Sequence, residues 1–88
     1  MHKYLAEFLG TLLFLYVILA TKSAVPIGIS LIIAIMVFGP YSGGHFNPAV
    51  SIMMVATKKL STNNLVPYIL AQVAGGLAAL ELYKRVKF

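Results

Sequence analysis

Ser42-Gly43-Gly44-His45-Phe46-Asn47-Pro48-Ala49-Val50-Ser51 lies between long apolar runs, and its reading decides the fold of this chain. Asn47 is a natural helix N-cap, because its side-chain carbonyl can accept from an open backbone N–H of the first turn. Pro48 suits the first helical position, where its missing N–H costs nothing. Gly43 and Gly44 let the chain turn back sharply just upstream. The helix that follows, over 47–56, is roughly 15 Å long at 1.5 Å per residue. A bilayer core is about 30 Å thick. The stretch therefore predicts a re-entrant half-helix that starts inside a membrane. Such a helix aims its positive dipole end and open N–H groups at whatever it faces.

Outward from this motif, composition places the chain in a membrane. Its 88 residues are 60% hydrophobic and 10% charged, with a mean hydropathy of +0.92. So few charges cannot cover a soluble domain. The expected fold class is all-α: three transmembrane helices, over about 4–21, 25–41 and 65–83, and the half-helix over 47–56, in one unit covering 1–88. The first span, roughly 27 Å long, nearly crosses the core. Thr21-Lys22-Ser23 is a short polar turn. Gly39-Pro40 is expected to end or bend the second span. The stretch 57–64 is polar and basic and reads as a surface connection. Lys3 precedes an apolar run, as in a signal peptide, but Glu7 and Thr11 sit inside that run. It is read as a retained span.

The net charge is +5, and the basic residues Lys3, Lys22, Lys58, Lys59, Lys84, Arg85 and Lys87 fall in the gaps between apolar runs and near the ends. That pattern fits headgroup anchors rather than nucleic-acid binding. With the first end cytoplasmic, Lys3, Lys58 and Lys59 lie inside and Lys22, Lys84, Arg85 and Lys87 outside. A bias of one charge hardly selects an orientation. Tyr4, Tyr68 and Tyr83 lie near span ends and are expected in the interfacial aromatic belt. Ala6 and Gly10, and Ala71, Gly75 and Ala79, recur at four-residue spacing, which lets membrane helices approach closely. Met36, Met53 and Met54 are expected to serve packing.

Among the residues with chemistry, Asn47 stands first: while its carbonyl caps the half-helix, its NH₂ can donate to a passing water or hydroxyl. Glu7 is the acid placed near the membrane core. It serves either proton coupling or the support of the re-entrant loop through hydrogen bonds from the loop's N–H groups. Gln72, in the third span, is read as a support of the loop in the same way, and Thr11 shares the helix face of Glu7. His45 is a pH sensor, a metal ligand or a loop brace; no second ligand is near it in sequence. There is no Cys, no Asp and no paired acid, so no enzyme chemistry, cofactor or metal site is expected.

Three blocks together resemble the aquaporin, or major intrinsic protein, family: Ala6-Glu7-Phe8-Leu9-Gly10-Thr11, the Ser42–Ser51 stretch, and Tyr68-Ile69-Leu70-Ala71-Gln72-Val73-Ala74-Gly75. Their order and spacing match over nearly the whole chain. The family joins two inverted three-span halves in one chain, and this chain resembles the first half only. The resemblance implies that Asn47, Pro48 and Ala49 line a pore, and that Glu7, His45 and Gln72 support the loop. It implies passive conduction of water or a small neutral solute such as glycerol. A lone half cannot enclose a pore, so a second copy in antiparallel orientation is expected in the bilayer, and a tetramer of such pairs is implied. The family's narrow ring would map to Ile27 of one copy and Ile35, Gly44 and Val50 of the other. That ring is apolar. It lacks the Arg that usually follows Asn-Pro-Ala in the family's second half; Val50 stands there. Two alternatives remain at this stage. One is a small antiparallel proton-coupled exporter using Glu7. The other is an inactive fragment that needs a separate second half.

Overall fold

The computed structural model describes residues 1–86. Its helices are α1 (Lys3–Thr21), α2 (Ala24–Ser42), α3 (Pro48–Ala56) and α4 (Leu65–Arg85), with a single 3₁₀ turn at Thr62–Asn64 before α4. The protein is all-α, with three long apolar helices and one short one. Lys87 lies outside the described residues.

The ends of the helices follow local chemistry. His2 caps α1, its Nδ1 accepting from the Tyr4 N–H at 3.0 Å. Lys22 closes α1 in the left-handed region at φ 51°. α2 runs through Gly39-Pro40, so the pair does not end the span. The reason is position: Pro40 stands in the last turn, so its missing N–H removes only one helical bond, at the fraying end. The stop comes at Gly43, whose φ of 92° suits glycine and whose N–H donates to Gly39 O at 2.7 Å. α3 holds nine residues. It ends in a turn where the N–H groups of Lys59 and Leu60 both donate to Met54 O, at 2.8 and 3.1 Å.

α1 packs between α2 and α4. Two side-chain bonds fix the direction of α4. Tyr4 Oη donates to Asn64 Oδ1 at 2.7 Å at one end, and Tyr16 Oη donates to Val86 O at 2.8 Å toward the other. α1 and α4 are therefore parallel. Lys3 and the turn carrying Lys58 and Lys59 share one end of the bundle; Lys22, Lys84 and Arg85 share the other.

The interior is polar and the exterior apolar, the reverse of a soluble domain. Glu7, Thr11, Ser30, Ser42, Ser51 and Gln72 are buried, while Val25, Met36 and Leu70 are each more than 60% exposed. Water would not tolerate that surface; lipid does. The protein is an integral, multi-pass membrane protein.

Glycines set the helix spacing at two points. A Cβ on Gly75 would lie 2.6 Å from Phe8 O and 3.0 Å from Thr11 Cβ, both on α1. A Cβ on Gly10 would run into the Phe46 ring. Gly10 thus admits a loop side chain, not a neighbouring helix. Gly28, by contrast, faces open space. Gly75→Ala is expected to destabilise the detergent-solubilised protein by about 1–3 kcal/mol, the usual cost of overpacking. Gly28→Ala should leave the thermal midpoint unchanged or slightly raised. Equal midpoints for both variants would remove Gly75 as a spacing residue.

Candidate functional site

The site begins with Glu7, one turn into α1 and fully buried. Its Oε2 accepts from Ser42 Oγ at 2.7 Å and from the His45 N–H at 3.1 Å. Its Oε1 accepts from the Phe46 N–H at 2.9 Å and from Gln72 Nε2 at 2.9 Å. Both oxygens are used, and all four contacts are donors. One carboxylate therefore ties together the end of α2, the loop and the middle of α4. Charge-assisted bonds of this kind are about twice as strong as neutral ones.

A second set of bonds holds α3. Gln72 Nε2 donates to Ser51 Oγ at 2.9 Å, and Ser51 Oγ lies 2.9 Å from His45 Nδ1. Ser51 accepts from Gln72, and its own O–H can donate to His45 Nδ1 in the tautomer that carries the ring proton on Nε2. The His45 ring packs against Tyr68 at 5.1 Å between centroids. Tyr68 Oη donates to Ser42 O at 2.8 Å. Tyr68 is only 2% exposed. It is thus a core residue and not the interfacial anchor expected for it. Its spacing to Gln72, Gly75 and Ala79 puts all four on the buried face of α4.

This scaffold fixes where α3 starts. Phe46, buried and at φ 54°, drives its ring into the gap left by Gly10. Pro48 lines a cavity of about 300 Å³ together with Thr11, Leu15, Gln72 and Gly76. Thr11 and Leu15 flank the midpoint of α1. The N-terminus of α3 therefore sits at mid-height of the bundle. Asn47 caps it, Oδ1 accepting from the Ala49 N–H at 2.8 Å. That bond occupies the carbonyl of the amide. The NH₂ has no protein partner among the described residues, and Asn47, Pro48 and Ala49 are exposed.

Of the ring candidates, Ile35 and Gly44 are neighbours: a Cβ on Gly44 would lie 3.5 Å from Ile35 Cγ1. Val50 is in the first turn of α3. Ile27 stands apart from Ile35, two turns earlier on α2, about 12 Å along the axis. Glu7, His45 and Gln72 come together in one network. Ser42, Ser51 and Tyr68 belong to the same network and were not singled out for it from the sequence. Thr11 Oγ1 and Gln72 Oε1 are buried with no hydrogen-bond partner. Among the described residues no group of three His, Cys, Asp or Glu side chains could hold a metal ion.

The sequence pattern of the major intrinsic protein family matches residues 1–87. The chain belongs to the major intrinsic protein family. Within that family it is similar to glycerol uptake facilitator protein-like 6 of Lactiplantibacillus plantarum, with 40% identity over 88 residues, covering 90% of this chain and 41% of the relative. It is similar to aquaglyceroporin AqpS of Rhizobium meliloti, with 40% identity over 55 residues, covering 62% of this chain and 24% of the relative. It is also similar to aquaporin-4 of Mus musculus, with 38% identity over 90 residues, covering 82% of this chain and 27% of the relative. The chain thus spans less than half the length of these family members, consistent with the family's N-terminal half. No solved structure gives a significant match.

Proposed function

We propose that this chain is a half-channel of the major intrinsic protein type, which pairs antiparallel with a second copy to conduct water or small neutral solutes. One observation carries the reading: α3 starts at mid-height and leaves the Asn47 NH₂ exposed there. A polar donor and an open helix N-terminus facing hydrocarbon would cost several kcal/mol per unsatisfied group, roughly. Facing water in a pore, they cost nothing and orient the oxygen of each passing molecule.

An inverted second copy would bring a second half-helix to the same level. Two half-helix dipoles, each equivalent to about half a positive charge, would then repel cations at the centre. In that pair Ile27 of one copy joins Ile35, Gly44 and Val50 of the other around an apolar ring. The ring lacks a guanidinium, which favours passage of glycerol as well as water. The names of two relatives, a glycerol uptake facilitator and an aquaglyceroporin, support glycerol among the solutes. A tetramer of such pairs is part of the same proposal, and the Asn47-Pro48-Ala49 turn is its pore motif. Glu7 gives no support to proton-coupled export, because it is fully buried and four donors occupy its two oxygens.

The test joins permeability to orientation. Proteoliposomes should shrink faster than protein-free vesicles in stopped-flow osmotic challenge, and should re-swell with glycerol. A C-terminal tag should be accessible from both faces of the native membrane, since three basic residues against three among the described residues barely bias insertion. Permeability at the level of protein-free vesicles would sink the channel. One orientation in nearly all molecules would sink the self-paired pore and leave a separate second half as the partner.

A further inference from the structure

A groove of about 470 Å³ runs between α1 and α2, on the half of the bundle away from the Glu7 network. Leu13 and Val17 form one wall; Val25, Ile29 and Ile33 form the other. The two polar side chains on it are already engaged. Thr21 Oγ1 donates to Val17 O at 2.9 Å, and Ser30 Oγ donates to Ile27 O at 2.7 Å. The groove is therefore apolar along its length, and it has a defined depth. From Thr21 to Leu13, and from Val25 to Ile33, each wall extends about 12 Å. That is close to half of a hydrocarbon core of about 30 Å, the depth of a single leaflet.

Its mouth is cationic. Lys22 stands exposed at the turn directly above Thr21, with no ion pair among the described residues. Beside it α2 begins without a side-chain cap on Ser23. The N–H groups of Ala24 and Val25 are open there. No acidic residue lies in the turn or on either wall; the two acids of the chain are Glu7 and Glu81. An apolar slot one leaflet deep, with positive charge at its opening, matches one kind of occupant.

We propose that this groove binds an anionic phospholipid, with one acyl chain between α1 and α2 and the phosphate at Lys22 and the start of α2. The proposal rests on the membrane position of the helices and is independent of conduction. The chain is reconstituted in phosphatidylcholine vesicles containing a trace of phosphatidylglycerol or phosphatidylcholine with a photoreactive group in the acyl chain. Labelled peptides are then mapped by mass spectrometry. The phosphatidylglycerol probe should label the Leu13–Thr21 and Val25–Ile33 segments about fivefold more than the phosphatidylcholine probe, the preference one lysine gives near a membrane surface. Lys22→Gln should remove that preference and leave the labelled positions unchanged. Ile29→Trp, which fills the slot, should suppress labelling by both probes while permeability persists. Equal labelling by the two probes in the unmodified chain overturns the proposal, as does a preference that survives Lys22→Gln. Crosslinks from these segments to a second copy, in place of lipid, would overturn it too.

Discussion

Glu7→Ala should reduce osmotic permeability to that of protein-free vesicles and cut the yield of monodisperse protein in detergent. The substitution leaves the His45 and Phe46 N–H groups and one N–H of the Gln72 amide without an acceptor, and the Ser42 hydroxyl with only the longer bond to Phe38 O at 3.5 Å. Hydrogen bonds to a charged group each contribute about 1.5–3 kcal/mol, and a stranded buried donor has no water to turn to. The combined loss exceeds by far the roughly 1 kcal/mol of an ordinary substitution. Glu7→Gln is the sharper variant. It keeps size and one acceptor oxygen but turns an NH₂ toward two of the donors. Passive permeability should fall, because the carboxylate acts by holding the loop. A loss confined to transport driven by a pH gradient, with passive permeability intact, would restore Glu7 as a proton carrier.

Asn47→Asp separates the cap from the donor. Asp caps helices about as well as Asn, so α3 should keep its N-terminus and the protein its thermal midpoint. What changes is the group facing the proposed path: a donor NH₂ becomes an acceptor oxygen with negative charge. Water and glycerol flux should fall severely, and any residual conductance should shift toward cations. A charge there also costs about 2.5–3.5 kcal/mol on insertion scales if it faces lipid, and less if it faces water. Asn47→Ala should lower flux as well, with about 1 kcal/mol of local helix stability lost. Unchanged flux in Asn47→Asp would mean that the half-helix does not face the conduction path, and the pore assignment would fall with it.

The two variants probe residues that were legible in the sequence. A carboxylate, an amide and an N-cap in apolar sequence announce themselves, because each needs a partner that lipid does not supply. Serines do not. Ser30 returns its hydroxyl to Ile27 O within its own helix, whereas Ser42 and Ser51 turn theirs to other segments. Local sequence is the same in kind; the difference lies in how each helix is rotated against its neighbours. Tyr68 misled because an aromatic near a span end fits the interface as well as the core. Only its shared face with Gln72, Gly75 and Ala79 distinguishes the two. The persistence of α2 through Gly39-Pro40 shows a similar limit. Proline marks a weakness, and the tertiary bonds of Ser42 to Glu7 and Tyr68 act on the turn that contains it.

The Glu7 cradle also imposes an order of events on the growing chain. Its partners are encoded at residues 42, 45, 46 and 72, so the last of them is synthesised 65 residues after the carboxylate. When α1 first enters the bilayer its acid has nothing to bind. The hairpin with α2 supplies one hydroxyl, and the loop that follows supplies two backbone donors. Only the third crossing delivers Gln72, which closes the cradle and at the same time grips Ser51 of α3. The half-helix is thus written before α4 but can be locked only after it. The two bonds made by Gln72, to Glu7 and to Ser51, are therefore the last of the cradle that can form.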